Sequence, residues 1–190
     1  MYNSVIKSND ADVVTKLNEN LKIYEGRVAY MQSVNDYYKE NKTTLGHPEV
    51  AEEMAKLLDS RVKKGQKTPY PGQFFVENRR EIDRIKAVIE RVQNNPETVF
   101  KSWEFDGGEA VINLANNRLQ LNFHEKPSED QIKQLKKNGF KWAPNHKAWQ
   151  RPLTHKTMSA CDKIDFLKRV DGKKPSEIQP KAPKKSEPER

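Results

Sequence analysis

The side chains best suited to chemistry concentrate in one stretch, Asn138 to Thr154, which reads NGFKWAPNHKAWQRPLT. Lys141, Lys147, Arg151 and His146 alternate there with Phe140, Trp142 and Trp149, and Lys133, Lys136 and Lys137 come just before. Cations neutralise phosphates and flat rings stack on bases, so this mixture is that of a nucleic-acid surface. The same tryptophans also suit the core of a small domain, which needs large side chains, and the sequence leaves both readings open.

Other chemistry is thinly represented. His124, His146, His155 and Cys161 show no HxxxH or CxxC spacing, so neither a metal site nor a cofactor is expected. Cys161 is the only cysteine, which excludes an intrachain disulfide and suits a reducing compartment; its place on the apolar side of the last helix reads as buried filler. There is no GxGxxG, Walker or GxSxG motif. No catalytic residue is assigned and the chain reads as a binding protein. A metal-independent nuclease made of His, Lys and Tyr needs no motif and stands as an alternative.

Composition agrees with a polyanion partner. The net charge is +8 over 190 residues, and the pI is near 9.4. A basic balance favours nucleic acid through counterion release. Residues 1–95 hold 16 Lys and Arg against 14 Asp and Glu, whereas 96–170 hold 13 against 9, so the middle region is more basic for its length. The start, MYNSVIKSNDADVV, lacks the pattern of a signal peptide, and no apolar run approaches a membrane span. A cytoplasmic location in a bacterial host is expected, with no membrane partner.

The elements that must position these residues follow from periodicity. Residues 1–95 are expected to form a helical hairpin domain, 96–101 a linker, 102–170 an α+β domain, and 171–190 a disordered Pro-, Lys- and Glu-rich tail. Val14, Leu17, Leu21, Tyr24, Val28, Met31, Asn35 and Tyr38 form one heptad seam, and Phe75, Asn78, Ile82, Ile85, Ile89 and Val92 form another. These predict an antiparallel, coiled-coil-like pair, formed within one chain or between two. Val50, Met54, Leu57, Leu58 and Val62 predict the apolar face of a short extra helix between them. Asn35 and Asn78 fall at the ends that meet, and either set register together or, with Tyr37, Tyr38, Lys39, Lys42, His47, Arg79 and Arg80, present a contact surface at the helical tip. Beyond the linker, Glu109–Leu114 and Arg118–Phe123 alternate as a hairpin. Ser128 with Gln131 caps a helix that Gly139 ends, a second hairpin turns at Pro144–Lys147, and a last helix spans Thr154–Val170. The fold class is α+β: a helical hairpin, then a ββαββα domain with helices on one face of an antiparallel sheet.

Trp103 to Thr154 resembles a module of large polyvalent proteins of plasmids, conjugative elements and phages, with the pattern NRLQIxFDGKPxxxxRxxLKxxGFRWxPxxxAWQRQLT. The shared residues include Asn117, Arg118, Leu119, Gln120, Lys126, Pro127, Gly139, Phe140, Trp142, Pro144, Trp149, Gln150 and Arg151. The departures are His124-Glu125 for an Asp-Gly turn and Pro152 for a polar residue. MQSVNDYYKENKTTLG and PYPGQFFVENRREIDRIKAVIERV likewise resemble the segment preceding that module, with Asn35 and Asn78 on matching positions. Short stand-alone versions resemble anti-defence proteins, of the anti-CRISPR or antirestriction kind. The resemblance thus implies a mobile-element protein that binds nucleic acid or an RNA-guided nuclease such as Cas9. FKWxPxxKxW also resembles the fork-DNA-binding module of annealing helicases at the level of fold. An accessory role in replication or transfer, and guide-RNA trimming, are the competing implications. The oligomeric state is not implied.

Overall fold

A computed structural model describes residues 5–182. The helices are α1 (Val13–Asn41), α2 (Glu52–Lys63), α3 (Gly72–Asn94), α4 (Glu129–Lys137) and α5 (His155–Cys161). The strands are β1 (Trp103–Phe105), β2 (Gly108–Asn113), β3 (Arg118–Phe123), β4 (Lys141–Ala143) and β5 (Ala148–Pro152). The α+β class is as the sequence predicts. The division into units is not the expected one. One compact unit is Asn18–Ala87; the other joins the residues up to Leu17 to those from Val88 onward.

In the helical unit, Glu25 of α1 pairs with Lys86 of α3 at 3.0 Å, and Asn35 further along α1 meets Tyr70 just before α3. The two helices therefore run antiparallel. Val34, Val50, Ala55 and Leu58 form the buried cluster, with Tyr30 and Tyr70 against it. The short helix is rotated from the expected face: Val50 and Leu58 are buried as expected, but Ala55 and Asp59 turn inward while Met54 and Leu57 are exposed. The reason is polar. Asp59 accepts hydrogen bonds from the Thr43 hydroxyl and from both the amide (2.8 Å) and hydroxyl (2.8 Å) of Thr44, which rotates α2 toward the loop after α1. The paired asparagines do not act together. Asn35 donates to the Tyr70 carbonyl at 2.8 Å and accepts from the Tyr70 amide at 2.9 Å, whereas Asn78 donates to Phe74 O within its own helix at 2.7 Å.

The second unit is built on a five-stranded antiparallel sheet of order β1-β2-β3-β5-β4. β1, only three residues long, adds a strand to the predicted ββαββα order. Past its start, residues 6–8 take over the pairing with β2: Ile6 O accepts from Leu114 N at 2.9 Å, and Ser8 N donates to Ile112 O at 3.2 Å. One sheet face carries Trp103, Ala110, Ile112, Leu119, Leu121 and Trp149 into a core shared with Leu135, Phe140, Met158, Cys161, Ile164 and Leu167. Ile6, Val13 and Leu17 belong to the same core, and Val88, Ile89 and Val92 pack against it. On the opposite face Asn113 donates to Gln120 (3.1 Å) and Gln120 to Gln150 (3.4 Å), a side-chain ladder across β2, β3 and β5. Asn113 and Gln120 are buried, and the ladder satisfies them.

α4 is framed as its sequence predicts. Ser128 and Gln131 form a capping box, and Gly139, at φ +78°, closes the helix with Gly139 N to Lys136 O and Phe140 N to Leu135 O, both 3.0 Å. The predicted last helix is shortened. α5 stops at Cys161, Ile164 is extended, and a 3₁₀ turn spans Asp165–Leu167. Residues 171–182, expected as tail, lie against the unit: Pro175 is buried, Ile178 packs on the core, and the Gln179 side chain bonds Lys101 N and O at 2.8 and 2.9 Å. The rest of the expected tail, 183–190, lies outside the described residues.

Candidate nucleic-acid interface

β4 and β5 divide the hairpin residues between two sheet faces. Trp142 pairs with Trp149, and Lys141 with Gln150. By strand alternation Trp142, Trp149 and Arg151 share the face that carries α4, while Lys141 points from the other. The expected grouping of Lys141 with Arg151 therefore does not form. Lys133 is held by Asp130 on the surface of α4 at 3.2 Å, Lys136 is exposed, and His146 lies 3.3 Å from the Asn116 amide.

The remaining residues gather at two concavities. The first, of about 390 Å³, is floored by Phe123, Pro127, Ile132, Trp142 and Trp149 and rimmed by His124, Glu125, Lys126 and Lys147. Trp149, on a strand flanked on both sides, is only 6% exposed; Trp142, on the edge strand, is 49% exposed. Their rings sit 5.9 Å apart, tilted by 58°. Lys147 reaches the rim because the turn places it at φ +49° after the Pro144–His146 3₁₀ turn. An exposed indole backed by a buried one is a platform for a flat ring. The Glu125 carboxylate on the rim disfavours a phosphate there and offers an acceptor to an amino group.

The second concavity, of about 470 Å³, is lined by Lys137, Asn138, Gly139, Arg151, Lys156, Ser159, Ala160 and Lys163. Lys137 and Arg151 were expected at a nucleic-acid surface; Lys156 and Lys163 lie on and after α5, away from the aromatic stretch. No local signal marks them, and only the packing of α5 beside the end of α4 brings them in.

The other reactive groups have structural roles. Cys161 is fully buried, and burial pushes its thiol up to about 12, which keeps it protonated. Ser33 Oγ lies 3.2 Å from His47 Nε2, the arrangement of a nucleophile and base. The backbone N–H of Glu49 donates to His47 Nδ1 at 3.1 Å, however, which puts the ring proton on Nε2. His47 then donates to Ser33, which donates to Tyr30 O at 3.0 Å, so the imidazole cannot take the serine proton. Among the described residues no group of three His, Cys, Asp or Glu is placed to hold a metal, and no helix is long and apolar enough to cross a membrane.

At the helical tip Asn35 is engaged with Tyr70, and His47 is buried. Tyr38 is half-buried, while Lys42 and Arg79 are exposed. Lys42, at φ +59°, turns back onto the Lys39 carbonyl at 2.9 Å. Compared with family models, with curated proteins and with solved structures, the chain matches none.

Proposed function

We propose that this protein binds nucleic acid, free or within a ribonucleoprotein such as an RNA-guided nuclease, as a non-enzymatic module. The observation that supports this best is the half-exposed Trp142 tilted against buried Trp149 in an apolar cleft with lysines at its rim. A large exposed indole costs solubility and does little for the core, so its placement beside cations fits a stacking role. The anti-defence role implied by the family resemblance is the setting in which such binding would act, by occluding the nucleic acid or the nuclease that holds it.

Trp142→Ala tests the reading. A stacked base contributes about 1–3 kcal/mol, so affinity for a labelled oligonucleotide should fall by roughly five- to 150-fold. The melting temperature should move little, because Trp142 is largely outside the core. Tryptophan fluorescence in the parent protein should be quenched on titration. Unchanged affinity in the variant, with no quenching in the parent, rejects the proposal.

A further inference from the structure

We infer that the lysine- and arginine-lined groove holds backbone phosphates of a single strand whose unpaired base occupies the tryptophan cleft, so that the ligand class is single-stranded nucleic acid. This rests on the nucleic-acid reading above and specifies it.

Charge is the first support. Lys137, Arg151, Lys156 and Lys163 converge on one concavity whose lining contains no carboxylate. None of the four sits in an ion pair among the described residues. Asp162, next to Lys163 in sequence, is not part of the lining and turns one oxygen to Ser176 N at 3.0 Å. Four like charges left facing one another are costly unless an anion answers them.

Preorganisation is the second. Arg151 Nη1 donates to Asn138 O at 2.5 Å, and the guanidinium lies over Gly139, where a Cβ would already stand 3.5 Å from its Cζ. The end of α4 thus fixes the planar head while most of its N–H donors stay free of any described protein acceptor, as a phosphate fork requires.

The third is position. Trp149 and Arg151 project from the same face of β5 two residues apart, roughly 7 Å along the strand. One strand can therefore reach both the groove and the cleft. The cleft accepts a ring face, and a base offers its face only when it is unstacked from its neighbours, which excludes an intact duplex.

The test uses the full chain, an end-labelled oligonucleotide as a single strand and as a duplex, and anisotropy over a series of salt concentrations. The single strand should bind more than about tenfold tighter than the duplex. Lys156→Gln with Lys163→Gln, both exposed, should weaken single-strand binding and flatten the slope of log K against log[salt] by about 1.4, or 0.7 per phosphate contact. Trp142→Ala should weaken binding without changing that slope. Equal affinity for duplex, or an unchanged slope in the double variant, overturns the inference. If Trp142→Ala still weakens binding in that case, the nucleic-acid reading survives alone. If the parent protein binds neither oligonucleotide at low salt, both fall.

Discussion

Asn35 shows how a residue can be located by its type and yet act through another partner. A polar residue in an apolar seam marks a place where burial is exchanged for specificity. From spacing alone Asn78 is the natural mate, and replacing both with leucine would raise stability. The structure reverses the sign. Asn35 satisfies the amide and the carbonyl of Tyr70, at 2.9 and 2.8 Å, in the rigid turn before α3. Asn35→Leu strands the Tyr70 amide, while the Tyr70 carbonyl keeps the Thr68 hydroxyl at 2.8 Å, and should cost about 1–3 kcal/mol, whereas Asn78→Leu, which removes one bond to its own helix, should stay within about 0.5 kcal/mol. Chemical denaturation of the two single variants separates the cases. Asp59 gives a second prediction at this scale. Burial alone would raise its carboxyl, but hydrogen bonds from Thr43 and Thr44 outweigh that and hold it below the usual carboxylate range. A lowered folded-state value means the stabilisation is complete above the unfolded value of about 3.9 and is lost as pH falls through the folded one. Thermal melts of the parent should fall more steeply with acid below about pH 4 than those of Asp59→Asn, whose stability is lower but flatter there.

At the scale of elements, what could be read from sequence was what local chemistry decides. Ser128 with Gln131 and the closing Gly139 bracket α4, because caps satisfy backbone groups within a few residues. The alternation of Glu109–Leu114 and Arg118–Phe123 likewise gives β2 and β3. β1 escaped because three residues cannot show a period. The last helix is shorter than expected for a physical reason visible in its apolar spacing. Met158, Cys161, Ile164 and Leu167 recur every three residues, which drifts around an α-helix of 3.6 residues per turn but keeps one side of a tighter one. The chain leaves α5, and Ile164 and Leu167 both reach the core. The site was legible to the same extent. Aromatic and basic residues in one hairpin were visible, but the strand pairing that sends Lys141 to the other face, and the packing that recruits Lys156 and Lys163, are tertiary. Gly108 offers a test at this scale. A Cβ there would lie 2.3 Å from Asn122 O and 2.7 Å from the Phe105 ring, so β1, β2 and β3 close only around a bare backbone. Gly108→Ala should lower stability by roughly 2 kcal/mol and increase amide exchange in β1.

For the whole molecule, Asn94-Asn95-Pro96 ends α3 and marks a boundary in the sequence at residue 95. It is not where the packing divides. A heptad seam runs on unchanged whether its residues face another helix or a sheet, so periodicity cannot show where α1 and α3 change partners. Leu17 enters the core of the sheet, and Val88, Ile89 and Val92 pack against it. Ile6 and Ser8 also complete the pairing of β2. This makes the α+β unit discontinuous in sequence, and the consequence can be measured on fragments. A fragment of residues 96–190 follows the sequence boundary but lacks Ile6, Val13 and Leu17, each of them buried. Burying such side chains contributes about 1.5–3 kcal/mol apiece, so the loss of three is about 4.5–9 kcal/mol, comparable to the whole stability of a small domain. That fragment should unfold in urea with a shallow, poorly cooperative transition and bind a hydrophobic dye. Adding a synthetic peptide of residues 1–20 should restore part of the cooperativity, because Ile6 and Ser8 would again bond to β2 and Leu17 would again fill the core. A sharp transition in the unassisted fragment, unaffected by the peptide, would show that the sheet and its two helices carry the fold without the N-terminal segment.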